Sequence, residues 1–578
     1  MKYSEILRLN NEFKKKNLNF ENQYQIFILT NIIVNPIKEI LEFTLNTNNI
    51  NPKITFSNFD NIIQESAKLE KYDLVIVFWE FNNFIDGFQY SIENIEDNKL
   101  NDIYFKIKKD IDFVLDNLKN CPIVFFNEFT NKQFDYNLIE ITKAEKFCNN
   151  LNKYLHTKKD HNLNLVNIND IFLSEGVEKN IDRKFYYNFK ALYTHNFFYK
   201  YTQKIMPQIL SIKGKSKKAI IFDCDNTLWH GLVGENEFKK IEMNTETTKG
   251  KIFHEIQNII LAMITKGVIV GICSKNNEID VLNIINNEEE MLIKKDQLSA
   301  IKINWQSKDK NLKEIAQELN IGLESIVFVD DSKHEIDLIN NMLPEVYTML
   351  VPKNLYDYPN ELINLQNIFF KNDLTDEDKN KTKLYNQQND RINTSKKFLN
   401  INEYLLSLET KLEININKLD HLERLTQITQ KTNQFNLTTK RYSKTEMETI
   451  IKDNNFLVFS LNVKDKFGIM GLTGIAIIQI DEKKQNAEIE SLMLSCRIIG
   501  REIEFYFIDN IIENLKSINI DMCKASFIKT DKNLIVEDLY DKIGFNKEFE
   551  NNKTKIYNLK LNTYSFNNSN LCEVKIEQ

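Results

Sequence analysis

No run of about 18 apolar residues occurs anywhere in this 578-residue chain, which excludes a membrane-spanning helix of the ordinary kind. The opening stretch "MKYSEILRLNNEFKKKN" is amphipathic and charged rather than a signal peptide, so a cytoplasmic protein without a membrane partner is expected. A basic excess is also lacking: 75 Lys and Arg stand against 82 Asp and Glu, for a net charge of −7. Without a positive field, nucleic acid is not an expected partner. The seven cysteines (Cys121, Cys148, Cys224, Cys273, Cys496, Cys523, Cys572) include no CxxC pair, which argues against a zinc or redox motif and leaves free thiols. Only 14 Gly and 7 Pro occur. With the richness in Asn, Lys and Ile, that scarcity reads as the imprint of an AT-rich genome and carries no function.

What is present is the composition of a globular protein, 42% hydrophobic and 27% charged. The length calls for several domains of about 100 to 200 residues each. Apolar runs "YQIFILT", "YDLVIVFWE", "CPIVFFNE" and "LNLVNIND" alternate with helix-like stretches, which predicts an α/β unit with a mainly parallel sheet over 1–212. A second α/β unit is expected over 213–375: a strand at Ala219 to Asp223, a helix near Ile252 to Lys266, strands "GVIVGIC", "AIKINW" and "SIVFVDD", and helices between them. The polar stretch 376–395 reads as a linker or exposed helix. Over 396–565, strands "FLVFSLNV", "TGIAIIQI" and "AEIESLMLS" follow one another before the helix "EIEFYFIDNIIENL", which predicts an antiparallel α+β unit, with 566–578 as a tail. No internal repeat is visible.

One stretch asks for chemistry. In "KKAIIFDCDNTLWHGLVGE" an apolar strand ends on Asp223 and Asp225, both pointing to one side by the two-residue period, with Thr227 and an expectedly exposed Trp229 behind them. Like charges this close repel unless a cation, a proton or a substrate offsets them. A hard cation such as Mg²⁺ takes carboxylate oxygens and phosphate. Asp330 and Asp331 end another strand in "FVDDSKHE", while Ser274 and Lys308 offer partners for a phosphate; parallel sheets collect their ligands at these carboxyl ends.

The order DxDNT, strand then Ser, Lys, and strand then DD resembles the haloacid dehalogenase superfamily of phosphotransferases. The resemblance implies a Rossmann-like parallel sheet, Asp223 as nucleophile forming an aspartyl phosphate, and Asp225 as general acid and then base. It implies phosphoryl oxygens held by Thr227, Ser274 and Lys308. It also implies a Mg²⁺ site of Asp223, Asp330, Asp331 and Asp225, the last through its main-chain carbonyl. The stretches "DNTLWHGLVGE", "GICSKNNE", "INWQSKDKNLKEIAQELNIGLESIVFVDD", "TQKTNQFNLTTKRY" and "SLMLSCRIIGRE" resemble FkbH-like proteins over most of residues 215 to 545. That family is regarded as glyceryl transferase/phosphatases, which take a glyceryl unit from 1,3-bisphosphoglycerate, remove the phosphate and load the acyl group onto an acyl carrier protein. An acyl acceptor thiolate is then expected at Cys273, beside Ser274 and followed by the cation Lys275, with Cys496 as its competitor. Cys224 points to the opposite face of its strand and reads as core.

The third unit resembles an acetyltransferase (GNAT) fold, with Arg497 and Gly500 matching its pyrophosphate loop and Glu502 departing from it. A carboxylate there repels pyrophosphate, so a phosphopantetheine arm or carrier surface is the expected ligand rather than acyl-CoA. The stretch "TNQFNLTTKRY" is expected to line a cleft between units two and three or to serve as a capped linker. The first unit resembles an SGNH-hydrolase-like fold without its Gly-Asp-Ser; His195 lies where that fold keeps a catalytic His, but Leu192 stands in place of its Asp, so an inactive unit is expected. Two other functions remain compatible with these residues: a phosphatase for a small phosphate ester, or a non-catalytic scaffold for a carrier protein.

Overall fold

The structure, a computed structural model, describes residues 3–15, 23–69, 71–134, 140–158, 162–233, 241–370, 400–481, 485–565 and 571–577, with 384, 387, 390–391, 394–395 and 397–398. The chain forms two compact units, one of residues 1–206 with 443–446 and the other of 207–442 and 447–578. The second therefore holds both the expected phosphatase region and the C-terminal region.

In the first unit, strands β1 (Tyr24–Thr30), β2 (Pro52–Phe56), β3 (Leu74–Phe78), β4 (Val124–Asn127) and β5 (Leu163–Val166) form a parallel sheet in the order β2-β1-β3-β4-β5. The central strand β3 is buried along its whole length, as an unbroken apolar run in a parallel sheet demands. Strand β2 was not expected from the sequence. It begins on a proline and lies at the sheet edge, where a missing N–H costs no ladder bond.

At the carboxyl ends of β1, β3 and β4 the chain buries a polar cluster around Glu80, which is 3% exposed. Tyr193 Oη donates to Glu80 Oε2 at 2.5 Å, Asn82 Nδ2 to Oε1 at 2.8 Å and Gln133 Nε2 to Oε1 at 3.3 Å. Burial pushes the Glu80 carboxyl up to about 7, against the donors of Tyr193 and Asn82. Three further polar atoms here, Asn82 Oδ1, Asn127 Nδ2 and Gln133 Oε1, are buried without a hydrogen-bond partner. His195 starts the helix His195–Ile212 and packs its ring on Tyr3, and Leu192 is fully buried.

In the second unit, β6 (Ala219–Phe222), β7 (Ile269–Ser274), β8 (Ala300–Ile303), β9 (Ile326–Asp330) and β10 (Tyr347–Leu350) form another parallel sheet, ordered β10-β9-β6-β7-β8. The expected strands and intervening helices are all present, including Thr248–Thr265, Glu278–Asn287 and Lys308–Glu318. Ile220, Phe222, Val270 and Ile272 build the core on one face, and Ala219, Ile221, Ile269 and Cys273 that on the other.

The C-terminal sheet has eight strands: β11 (Thr410–Ile416), β12 (Phe456–Asp465), β13 (Gly468–Ile480), β14 (Asn486–Leu494), β15 (Met522–Ile528), β16 (Asn546–Glu550), β17 (Thr554–Lys560) and β18 (Cys572–Glu577). Their order is β16-β17-β15-β14-β13-β12-β11-β18, antiparallel except where β14 meets β15 and β11 meets β18, which is the α+β arrangement expected. Two boundaries need correction. Residues 572–577, placed in a tail, form an edge strand in register with Thr410 to Asn415. Within the stretch read as a linker, much of which lies outside the described residues, Arg391 is 1% exposed and grips Asp465.

Strands β14 and β15 pair only from Asn486 to Ile489 and then part. The parting is filled by the chain itself: Leu437 N donates to Leu492 O at 3.3 Å, Leu494 N to Phe435 O at 3.1 Å, and Ile528 N to Leu437 O at 2.8 Å. The "NQFNL" segment is thus a short bridge in the sheet and not a free linker.

Candidate active site

The parallel pairing of β6 with β9 brings their carboxyl ends side by side, and one further ladder bond, Asp223 N to Val329 O at 2.9 Å, carries the register one residue past β6. Asp223 and Asp330 are therefore held by backbone in a buried place, 6% and 0% exposed. Lys308, the first residue of its helix, reaches between them; its Nζ lies 2.7 Å from Asp223 Oδ1 and 2.6 Å from Asp330 Oδ2. Burial alone would lower the Lys308 ammonium, but the two carboxylates outweigh it and raise it above its ordinary value. Burial first, and then the charge of Asp223, push Asp330 up to about 6 and raise Asp331 as well.

Oxygens of Asp223, Asp330 and Asp331 lie within 4.8 Å of one another. Three carboxylates against the single ammonium of Lys308 leave two negative charges in excess, and the donor set is all oxygen. That is the charge and chemistry a hard divalent cation such as Mg²⁺ requires, so the residues fit one. The carboxylate of Asp225, a residue expected to reach the metal through its main-chain carbonyl, is turned away from the other three and so leaves that expectation as it was. Oδ1 accepts from Trp229 Nε1 at 2.9 Å and from Val233 N at 3.2 Å, and Oδ2 accepts from Asn276 Nδ2 at 2.9 Å. The chain leaves the strand at Phe222, so the two-residue period that would align Asp225 with Asp223 no longer applies. Burial raises Asp225 despite these donors, which suits a group that gives up and regains a proton.

Thr227 is completely buried, and its Oγ1 has no hydrogen-bond partner. An orphaned hydroxyl in this loop is what a phosphoryl oxygen could satisfy. Ser274 ends β7 and is 1% exposed, and its hydroxyl acts to lower the Cys224 thiol against the burial that raises it. Asn226 holds the turn with a positive φ of 51° and accepts from Gly231 N.

Trp229 is not exposed as expected but fully buried, with its ring in the core and its N–H on Asp225. Sequence reasoning missed Trp229 and Asn276 as partners of Asp225. An aromatic four residues on and the polar "KNN" after β7 were the only signals.

Cys273 departs from the expectation of a thiolate. It is 0% exposed, packed with Leu312 and Ile315, and burial pushes its thiol up to about 12. Lys275, expected to favour the thiolate, instead pairs with Glu335 at 2.7 Å. Cys224 is buried and raised too, as expected of core. The Cys496 side chain lies outside the described residues, as does Glu235 at the end of "DNTLWHGLVGE". Gly500 adopts φ +79° and Glu502, at the start of the helix Ile503–Ser517, φ 60°. Arg497 Nη1 donates to Met470 O at 2.9 Å and its Nε to Ser495 Oγ at 3.2 Å.

Residues 215–357 match the acid phosphatase family. No curated protein matches the chain. Among solved structures, the N-terminal part of a Bacteroides fragilis protein, containing a phosphatase domain and complexed with Mg, is 19% identical. It covers 64% of this chain and 100% of its own with a TM-score of 0.56, a likeness of fold. A spermidine/spermine N-acetyltransferase from Vibrio cholerae is 16% identical over 27% of this chain and 96% of its own (TM-score 0.22). A ribosomal-protein-S18-alanine N-acetyltransferase from Escherichia coli is 13% identical over 26% and 94% (TM-score 0.21).

Proposed function

We propose that the chain is a Mg²⁺-dependent phosphatase that works through an aspartyl phosphate, and that it serves the transfer of a glyceryl or similar hydroxyacyl group to an acyl carrier protein. The observation that carries the phosphatase reading is Lys308 joined to both Asp223 and Asp330, with Asp331 in the same carboxylate cluster, at the carboxyl end of a parallel sheet. Asp223 supplies the attacking oxygen: its bond to phosphorus forms as the bond from phosphorus to the leaving oxygen breaks. Asp225, whose carboxyl burial raises above its ordinary value, gives a proton to that leaving oxygen. The resulting Asp225 carboxylate then takes a proton from a water that attacks phosphorus, and the Asp223 to phosphorus bond breaks to release phosphate. Trp229, Asn276 and the Val233 N–H keep Asp225 aimed throughout. Lys308 and Thr227 face the phosphoryl oxygens. Mg²⁺ bound by Asp223, Asp330 and Asp331 would supply charge neutralisation for the attacking carboxylate and the phosphoryl group.

The acyl half rests on the FkbH-like motifs. With Cys273 closed off, no enzyme thiol is assigned to it. A carrier's phosphopantetheine thiolate attacking the acyl carbon of an acyl phosphate forms the C–S bond, breaks the C–O bond and expels phosphate unaided. The burial of Cys273 also favours a second reading, a phosphatase for a small phosphate ester with no carrier.

One experiment separates these. The chain is incubated with 1,3-bisphosphoglycerate, Mg²⁺ and a holo carrier protein, with phosphate release and the intact mass of the carrier followed together. Asp223→Asn and chelation are each expected to reduce removal of the ester phosphate, read as the mass of the glyceryl product, by about 10³-fold or more. Removal of the ester phosphate that survives either change rejects the aspartyl mechanism, and release without glyceryl on the carrier selects the second reading.

A further inference from the structure

The carboxyl end of the phosphatase sheet is charged at its centre and carries apolar side chains around it. Leu232 is 58% exposed, Ile279 77% and Trp305 76%. One lies in each of the connections that follow β6, β7 and β8, strands that stand side by side in that order. The chain ties each of them to the aspartate site. Leu232 precedes Val233, whose N–H donates to Asp225 Oδ1. Ile279 lies in the turn that begins with Asn276, whose amide donates to Asp225 Oδ2. Trp305 lies in the short loop that ends on Lys308, the ammonium between Asp223 and Asp330. Exposed apolar side chains scattered singly need no explanation, but large ones gathered about a polar site mark where a ligand sits.

The indole is held out by its loop rather than left loose. Asn304 N donates to Ser274 O at 3.1 Å, which carries the β7 and β8 ladder past its last pair, Ser274 with Ile303. Asn304 and Asn311 exchange amide hydrogen bonds at 3.2 and 2.9 Å, and Gln306 N donates to Asn304 Oδ1 at 2.9 Å. Asn311 is fully buried, so the brace is anchored in the protein while the ring stands in water. The other two tryptophans, Trp79 and Trp229, are both buried. Neighbouring strands lie about 4.8 Å apart, which sets β8 about 10 Å from β6 and from Asp223 at its end. At about 3.6 Å for every three extended bonds, a three-carbon phosphate held by phosphorus at Asp223 ends about 5 to 6 Å away, short of β8, whereas an eight-carbon chain reaches about 10 to 11 Å.

We propose that Leu232, Ile279 and Trp305 form an apolar collar that selects the substrate: a phosphate monoester borne at the end of an extended, largely apolar chain, held by its phosphate at the aspartates and by its chain against the indole. The inference rests on the phosphatase reading of the same site and narrows it, since a phosphoglyceryl unit meets the collar only when it is joined to a longer chain.

The test is a series of n-alkyl phosphates, ethyl, butyl, hexyl and octyl, with the full chain and Mg²⁺ at concentrations below aggregation. The four alcohols leave with nearly equal basicity, so the chemical step is constant and kcat/KM reports the tail. Each methylene buried against the collar is worth about a fourfold gain, and the octyl to ethyl ratio is expected to exceed about tenfold, carried by KM. Trp305→Ala and Ile279→Ser, both at exposed positions, are each expected to lower that ratio by about threefold or more. A second readout needs no turnover: in Asp223→Asn, octyl but not ethyl phosphate should shield Trp305 from acrylamide quenching. Phosphate release that survives Asp223→Asn across the series would overturn the phosphatase reading and the inference with it. A flat series that still depends on Asp223, or a rising one indifferent to both collar substitutions with no shielding of the indole, would overturn the collar alone.

Discussion

Lys308 touches two carboxylates at once, and that geometry ranks the residues around it. Asp223 and Asp330 are positioned by the β6 and β9 ladder, Lys308 by the start of its helix, and Asp225 by two side chains from different parts of the loop layer. Cys273 shares the same end of the sheet but belongs to the core beneath it. Cys273→Ala should therefore leave phosphate release within a few-fold of the parent, and cost about 1 kcal/mol of stability for a lost buried sulfur. Native protein should also resist thiol alkylation there, since a thiol pushed up to about 12 is almost wholly protonated at neutral pH. Loss of phosphate release in Cys273→Ala, measured with thermal unfolding as a folding control, would restore a chemical role to the thiol. Asp223, Ser274, Lys308 and Asp330 were legible in the sequence because each sits at the end of an apolar strand or the start of a helix, where position follows from local pattern. The orientation of Asp225 was not, because it depends on an indole and an amide brought in by tertiary structure.

At the scale of elements, the strands that the sequence hid include β2, β10, β16 and β18 at sheet edges and β11, β15 and β17 inside the C-terminal sheet. β2, β10 and β18 are short and partly exposed, so they show neither an unbroken apolar run nor a clean alternation. The central strands of both parallel sheets are buried over their whole length and read directly. The same limit applies to Arg391, which lies in a polar stretch yet is buried against Asp465. Its Nε and Nη2 each donate to Asp465 at 2.7 Å, and Arg501 Nη1 adds a contact at 3.0 Å. One carboxylate thereby fastens the segment before β11, the end of β12 and the loop before the helix Ile503–Ser517. Asp465→Asn removes the charge that binds the buried guanidinium groups of Arg391 and Arg501, and a loss of about 3 to 5 kcal/mol is expected. Burial acts to raise the Asp465 carboxyl, but Arg391 and Arg501 outweigh it and hold it below its ordinary value. A lowered folded value contributes stability that is present above the unfolded value near 4 and fades as pH falls through the folded one. Denaturant melts at several pH values check this: the gap between parent and variant should narrow below about pH 4, and a gap independent of pH would show that the clamp is not electrostatic.

At the scale of the whole molecule, the chain forms two compact units with separate sheets and cores, and each should report its own stability. The first unit has a marker of its own in Glu80. Its carboxyl is pushed by burial from an ordinary 4.5 up to about 7, a difference worth at most about 3 kcal/mol. Because the folded value lies above the unfolded one, the stabilising contribution is fully present below about 4.5 and is lost as pH rises through about 7. Calorimetric melts of the full chain should therefore contain a transition that moves to lower temperature between about pH 5 and pH 8 and then levels off. Glu80→Gln keeps the shape and removes the titration, so that transition should become flat over the same range. The transition that Asp465→Asn displaces, belonging to the second unit, should keep its pH dependence in Glu80→Gln. A single transition responding equally to both substitutions would mean that the two units unfold as one.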